Sequence, residues 1–143
     1  MENGLIHKDL TDKIIGTFYE VYNELGFGFL ESVYEDAMVI ALEEKGLEVG
    51  QQIAVPVWFR GRSIGKFAAD LLIEHRVIVE LKAVSKLVEV HAAQLMHYLR
   101  ATEIEVGLVM NFGLRPEFKR RVFENTRKAL PTEPTVLLKS LLS

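Results

Sequence analysis

The stretch from Ala69 to Lys82, which reads A-D-L-L-I-E-H-R-V-I-V-E-L-K, constrains the fold of this chain more than any other segment. It places Asp70, Glu80 and Lys82 in two short runs that are otherwise strongly apolar. Such runs, rich in Val and Ile, are typical of buried strands. Charged side chains are rare inside buried strands unless they pair with another charge or bind a metal. The stretch therefore predicts a hairpin that carries a functional site.

The side chains of Asp70 and Glu80 meet in only one register of this hairpin. If the turn consists of the three residues between Ile73 and Val77, those two residues face each other and Asp70 faces Glu80. A turn of two residues would shift the pairing by one position and separate the carboxylates. Lys82 follows Glu80 by two positions and shares its face in a strand.

Converging carboxylates at these positions predict a divalent-metal site. Two carboxylates about 4–5 Å apart repel by about 4 kcal/mol at an effective dielectric near 20, and a bound cation reverses that sign. Asp70, Glu80 and the backbone carbonyl of Leu81 offer the oxygen ligands that suit Mg²⁺ or Mn²⁺. Such an ion would lower the pKa of a water molecule and neutralise charge on a phosphoryl oxygen. Lys82 could orient or deprotonate that water, or stabilise the transition state. The alternative is an exposed strand face with an ordinary Glu–Lys pair.

The remaining pattern predicts an α/β protein with the element order ααβββαβ(β). Helical spacing predicts one helix that ends at Gly26, one over about 31–45 and one over about 88–101. Period-two alternation and β-branched residues predict the strands 53–59, 64–73, 77–82 and 106–112, and an edge strand 118–123, with a turn at 60–63. The third strand, the third helix and the strand 106–112 form a predicted right-handed parallel crossover. A mixed sheet with helices on both sides follows.

Length and composition indicate one globular domain over residues 1–143, with a core of about 10–123. Hydrophobic residues make up 49% and charged residues 26%, so the chain is not intrinsically disordered. The tail from residue 124 contains a predicted short docked helix at 136–142. The absence of cysteine excludes disulfides, thiolate zinc sites and cysteine nucleophiles. We find no signal peptide and no apolar run of about 20 residues, so we expect a soluble cytoplasmic protein without membrane contact.

Charge is distributed unevenly along the chain. Residues 1–58 carry 11 acids and three bases, whereas residues 59–143 carry nine acids and 14 bases. The second part could present a basic surface to a phosphate backbone, although a set of solvated faces explains the count equally well. In the third helix, Gln94 and Tyr98 share one face by their spacing. Candidate nucleic-acid contacts are two tyrosines and six cations: Tyr34, Tyr98, Lys66, Lys86, Arg100, Lys119, Arg120 and Arg121.

Three motifs in a fixed order point to a known family. The first reads Gly28-Phe29-Leu30-Glu31-Ser32-Val33-Tyr34, the second is Asp70 followed by Glu80-Leu81-Lys82, and the third is Gln94 with Tyr98. With these motifs the sequence resembles the GxxExxY family, a branch of the PD-(D/E)XK nuclease superfamily. The resemblance covers about residues 10–123, and Ala69 stands where the family usually has Pro.

The resemblance implies a restriction-endonuclease-like core and a nuclease that depends on Mg²⁺ or Mn²⁺. It implies Glu31, Asp70 and Glu80 as acidic ligands, Lys82 as the catalytic lysine and Gln94 as an accessory polar residue. The expected partner is nucleic acid, DNA rather than RNA, and a homodimer would place two sites on two strands. The rival hypothesis is an inactive protein of the same fold that binds nucleic acid or another protein. A third is an oligomeric scaffold with its apolar tail docked on a second copy.

Overall fold

A five-stranded sheet forms the centre of the computed structural model, which describes residues 6–128. Helices α1 and α2 precede the sheet, and α3 lies between the strands β5 and β6. The helices are α1 (Lys8–Leu25), α2 (Glu31–Glu44) and α3 (Glu89–Ala101). The strands are β1 (Val49–Ala54), β2 (Val57–Phe59), β3 (Arg62–Ile64), β4 (Ala68–Ile73), β5 (Val77–Lys82), β6 (Val106–Phe112) and β7 (Pro116–Val122).

The sheet has the strand order β1-β4-β5-β6-β7 and is mixed. Strands β5 and β6 are parallel, and the other neighbours are antiparallel. The predicted crossover from β5 through α3 to β6 is therefore confirmed, as is the α/β class with helices on both faces. Strand β5 occupies the middle of the sheet, which explains why its first three residues, 77–79, are apolar on both faces.

Two apolar cores lie on opposite faces of the sheet. One core packs α1 and α2 against β5 residues Val77, Val79 and Leu81. The other packs α3 against the opposite face of the sheet, where Ile78 of β5 lies with Leu72 of β4 and Val109 of β6. By the same period of two, Glu80 belongs to the face that α3 covers.

The two predicted long strands before β5 are each interrupted. Pro56 has no N–H to donate and lies between β1 and β2, so the run 53–59 does not continue as one strand. The predicted strand 64–73 is also broken, because residues 65–67 lie outside both β3 and β4. Strands β2 and β3 form a separate hairpin in which Phe59 pairs with Arg62 across a turn of two residues. The predicted turn at 60–63 was therefore too long.

The C-terminal edge strand begins earlier than predicted, at Pro116. A short 3₁₀ turn follows at Asn125–Arg127. The predicted helix at 136–142 and the apolar tail around it lie outside the described residues. Within residues 6–128, each helix is too short or too polar to cross a membrane.

Candidate functional site

The β4–β5 hairpin has the register that brings Asp70 and Glu80 together. Ile73 pairs with Val77 across a turn of three residues, and the ladder continues to Leu71 opposite Val79. The regular backbone pairing ends at Leu71 and Val79. At the next position, Asp70 and Glu80, the hydrogen bonds between the strands are made by side chains. The prediction of a three-residue turn is therefore confirmed, and with it the position of Asp70 opposite Glu80.

Each of the two carboxylates accepts a hydrogen bond from the strand of the other. The N–H of Asp70 donates to Oε2 of Glu80 at 2.8 Å, and the N–H of Leu81 donates to Oδ2 of Asp70 at 2.8 Å. These bonds replace the strand ladder and fix both side chains. The second oxygen of Glu80 accepts no hydrogen bond from residues 6–128.

Glu80 is a buried carboxyl with a strongly perturbed titration. Its side chain is only 3% exposed. Burial, and then the negative charge of Asp70, raise the pKa of Glu80 from an ordinary value of 4.5 to about 8, although Lys82 acts in the opposite direction. Perturbation by burial together with a like charge is common at functional sites.

Lys82 closes strand β5 on the same face as Glu80 and is partly buried. Its ammonium group lowers the pKa of Glu80 through space. Among the described residues, it makes neither a hydrogen bond nor an ion pair within 4 Å. Its charge is therefore free for a ligand.

Gln94 and Tyr98 lie on α3 behind the carboxylate pair. Nε2 of Gln94 donates to the hydroxyl of Tyr98 at 2.8 Å, and that hydroxyl donates to the carbonyl of Ala68 at 3.0 Å. Burial, then the charges of Glu80 and Asp70, raise the pKa of Tyr98. Tyr98 is 1% exposed, so the prediction that it contacts nucleic acid is wrong, because its hydroxyl and ring are used inside the core.

A third carboxylate near this pair comes from Glu35, which sequence reasoning missed. Nε2 of Gln52 donates to Oε1 of Glu35 at 2.9 Å and to Oδ1 of Asp70 at 3.2 Å, so one amide joins the two acids. Gln51 donates to the other oxygen of Glu35 at 3.0 Å. Burial raises the pKa of Glu35, hydrogen bonds from Gln51 and Gln52 lower it, and the charge of Asp70 raises it further. In the sequence, the signal for this acid was the pair of adjacent glutamines, Gln51 and Gln52, immediately before the predicted strand 53–59.

Glu31 begins α2 and is exposed. It precedes Glu35 by four residues, so both lie on the same side of the helix. Within residues 6–128, Glu31 makes no hydrogen bond or ion pair, and its role as a ligand stays a prediction. The structure also contradicts a nucleic-acid contact through Tyr34, which is fully buried and stacks on Phe112 at 4.1 Å.

The predicted basic contacts separate into free and engaged cations. Lys66 and Lys86 are exposed and make no ion pair in the described part of the chain. The run 119–121 is not one basic strip, because alternate residues of a strand point to opposite faces. Lys119 and Arg121 pair with Glu89, whereas Arg120 donates to the carbonyl of Ile6.

Arg100 is also engaged, with its guanidinium 4.9 Å from the ring centre of Phe123.

A second missed residue is Asn111, which is fully buried within apolar β6. It accepts from the N–H of Val84 and donates to the carbonyl of Val84, both at 2.9 Å. Asn111 therefore fixes the segment that follows Lys82. A lone Asn in an apolar strand was the signal.

The donor set fits a hard divalent cation held by few protein ligands. Among residues 6–128, no group of three or more His, Asp or Glu is arranged to hold a metal. Asp70 and Glu80 nevertheless place two carboxylates side by side; one is buried, and neither forms an ion pair in the described part of the chain. Mg²⁺ is commonly bound through one or two carboxylates, with water and substrate phosphate completing the octahedron.

Comparison with known proteins gives one family and one similar fold. A family model described as the PD-(D/E)XK nuclease superfamily matches residues 8–122. The crystal structure of SSO0001 is similar with a TM-score of 0.51 and 17% sequence identity, over 65% of this chain and 50% of that chain. The match thus spans half the length of SSO0001, and at this identity it concerns the fold alone. No curated protein matches the chain.

Proposed function

Because the chain belongs to the PD-(D/E)XK nuclease superfamily, we propose that it is a divalent-metal-dependent nuclease that hydrolyses phosphodiester bonds, in DNA rather than RNA. The observation that carries this proposal is the convergence of Asp70 and Glu80 beside Lys82, whose ammonium forms no ion pair within residues 6–128. The seven residues from Gly28 to Tyr34 further support placement in the GxxExxY branch.

Asp70 and Glu80 would hold Mg²⁺ or Mn²⁺, with the Leu81 carbonyl as a further predicted ligand. The ion would supply a Lewis acid for the scissile phosphate. Bringing it to the pair would also remove the proton that the buried Glu80 otherwise retains. Glu35, linked to Asp70 by Gln52, would add negative charge on the α2 side.

Lys82 would stabilise the negative charge that develops on the phosphoryl oxygens, because its ammonium lies at the strand end and pairs with no carboxylate among residues 6–128. Gln94 would act through Tyr98, whose hydroxyl it holds. This makes Gln94 a positioning residue in the proposal. Glu31, one turn before Glu35 on α2, is the other candidate for a third acid.

Contacts to the phosphate backbone of the nucleic acid would come from cations that have no acidic partner within residues 6–128. Residues 49–69 contain no Asp or Glu, and the β2–β3 hairpin and the loop after it carry Arg60, Arg62 and Lys66, all exposed. Lys66 precedes Asp70 by four residues, so phosphates bound here would lie close to the carboxylate pair. Each neutralised phosphate steepens the salt dependence of binding by about 0.9 in log–log slope for duplex DNA.

The test is a cleavage assay on end-labelled single- and double-stranded DNA and RNA of one sequence, in Mg²⁺, Mn²⁺, Ca²⁺ or EDTA. We expect cleavage in Mg²⁺ or Mn²⁺ that is lost in Lys82→Ala and Glu80→Gln. Lys13→Ala, which removes an exposed lysine of α1, is the matched control and should cut as the parent does. Equal cutting by Lys82→Ala and the parent would identify a contaminant.

The alternative is a module of the same fold that binds nucleic acid without cutting it. Within residues 6–128 no group of three or more acidic or histidine side chains is arranged to hold a metal, and Glu35 reaches Asp70 only through Gln52, which favours this alternative. Binding to labelled DNA without cleavage under any metal, together with no calorimetric Mg²⁺ signal that depends on Asp70, would support this alternative over the nuclease.

A further inference from the structure

Large apolar side chains are exposed on the loop between α1 and α2. Phe27 is 59% exposed, Phe29 47% and Leu30 77%. Leu114, on the turn between β6 and β7, is 64% exposed and lines the same cavity as the two phenylalanines. Contiguous exposed apolar surface commonly marks a binding site.

We propose that this surface binds one unpaired nucleobase beside the scissile phosphate, so that the preferred substrate is single-stranded or has an unpaired segment at the cut. This inference rests on the proposed function and names its substrate class. It concerns a site separate from the carboxylate pair. Aromatic side chains that stack with bases are the usual means of holding single strands.

The cavity has a volume of about 240 Å³ and extends from the loop to the segment that follows β5. Phe27 and Phe29 line one side, and Ala83 and Val84 line the other. Ala83 is the next residue after Lys82, so the cavity begins where the proposed catalytic strand ends. Pockets for drug-sized ligands measure about 300–1,000 Å³, which makes this cavity suitable for a single ring system.

The aromatic side of the cavity is preformed. The hydroxyl of Tyr34 accepts from the N–H of Phe29 at 3.2 Å and donates to the carbonyl of Gly26 at 2.6 Å. The ring of Phe29 meets the ring of Tyr34 edge-on, with 6.0 Å between centroids. Gly28 has φ of +112°, a conformation open mainly to glycine. The Gly28–Tyr34 motif thus has a physical role, because its buried tyrosine fixes the exposed loop.

The opposite side is equally fixed. Asn111 holds both backbone groups of Val84, as described above. A Cβ on Gly113 would lie 2.3 Å from the carbonyl oxygen of Val84, so the two backbones approach closely. The hydroxyl of Tyr22 lies 2.8 Å from the carbonyl oxygens of Gly113 and Leu114 and holds that turn. The backbone on both sides of the cavity is therefore held in place before a ligand binds, which lowers the entropic cost of binding.

The charge at the rim suits a phosphate attached to the base. Lys86 and Arg115 line the adjoining surface, are exposed, and make no ion pair within residues 6–128. The one carboxylate there, Glu117, already accepts from the N–H of Leu87 at 3.1 Å. A cavity with phenylalanines in its lining and a cationic rim matches a nucleotide better than it matches an uncharged apolar peptide.

The decisive experiment measures binding to a labelled 12-nucleotide single strand and to the corresponding blunt duplex, by anisotropy in EDTA so that no cutting occurs. We expect Phe29→Ala and Phe27→Ala to lose about 5- to 150-fold affinity for the single strand, with no change for the duplex. Ile40→Ala is the matched control, because Ile40 is 60% exposed on α2 and does not line the cavity. If Phe29→Ala unfolds in a thermal melt, the more exposed Phe27→Ala decides.

An abasic scan adds a readout specific to stacking. One abasic position should weaken binding by the parent as much as Phe29→Ala does, and the two losses should not add. Equal affinity of the parent for intact and abasic strands would overturn the inference. If the parent binds with the abasic signature but cuts nothing, the nuclease proposal fails and this inference stands. If the phenylalanine variants bind and cut single strands as the parent does, the inference fails alone.

Discussion

The β4–β5 hairpin and the segment from Gly26 to Glu35 both carry acids, but they differ in how those acids are positioned. In the hairpin, Asp70 and Glu80 are bonded to each other's strands, and one of them is buried. In the segment, Glu31 is exposed and has no hydrogen-bond or ion-pair partner among residues 6–128, and Glu35 one turn later reaches Asp70 through Gln52. Strand register thus fixes a carboxylate pair through neighbouring residues, whereas a helix adds an acid to the site only through the way it packs against the sheet.

Substitution of Asp70 in the β4–β5 hairpin should have the strongest effect on activity. Asp70→Asn keeps an acceptor for the N–H of Leu81 but removes the charge, so we expect metal-dependent cleavage to fall by about 10²- to 10³-fold or more. Asp9→Asn, in the first turn of α1, should leave the rate unchanged. Single-turnover assays at saturating Mg²⁺ would measure this, and a loss below tenfold would show that Asp70 is not a ligand.

The next effect compares Glu35 with Glu31. Glu35→Gln should lower activity or Mg²⁺ affinity by about 10- to 100-fold, as losing a partner of a metal ligand typically does, and Glu31→Gln should cost less. Isothermal calorimetry with Mg²⁺ and cleavage rates would rank the two variants. The opposite order would return the role of third acid to Glu31, as the sequence predicted.

A pH effect follows from Glu80. Its pKa is about 8 in the folded protein and near 4.5 in the unfolded chain, so the unfolded state loses its proton first as pH rises. The free energy of unfolding of the metal-free protein should therefore fall between about pH 4.5 and pH 8, by up to about 5 kcal/mol from this group. Urea melts in EDTA at pH 5 and pH 8 would show this fall in the parent.

Glu80→Gln is the control for that measurement, because glutamine still accepts from the N–H of Asp70 and has no proton to lose. The difference between parent and variant isolates Glu80 from other titrating groups. Adding Mg²⁺ at pH 8 should stabilise the parent more than Glu80→Gln. Parallel pH profiles of the two proteins would contradict the raised pKa.

The smallest effect concerns Gln52, which has φ of +49° in the left-handed region. Gln52→Gly should relieve that strain and leave stability unchanged or raise it by about 1 kcal/mol. The link between Glu35 and Asp70 would be lost, so cleavage should fall several-fold. Thermal melts and rates on one preparation would test both, and a variant that is destabilised yet fully active would contradict this role of Gln52.

The local features of the fold were predictable from the sequence. The bounds of β5 and β6 and the parallel crossover follow from short apolar runs around a helical pattern. The turn of three residues fixed the facing of Asp70 and Glu80, because in a strand one residue more or less reverses every side chain. The break at Pro56 was legible too, since proline cannot donate to a ladder, but the alternating apolar residues around it masked the signal.

Contacts between elements that are distant in sequence were not predictable in this way. Periodicity shows that Glu31 and Glu35 share a helix side, but the packing of α2 against the sheet decides which of them meets Asp70. It likewise decides that Tyr34 and Tyr98 are buried, whereas Phe27 and Phe29 are exposed and line a cavity together with Ala83. The physical reason is that hydrogen-bond register acts over a few neighbouring residues. Burial and electrostatics depend on how distant surfaces pack, and no local pattern records that arrangement.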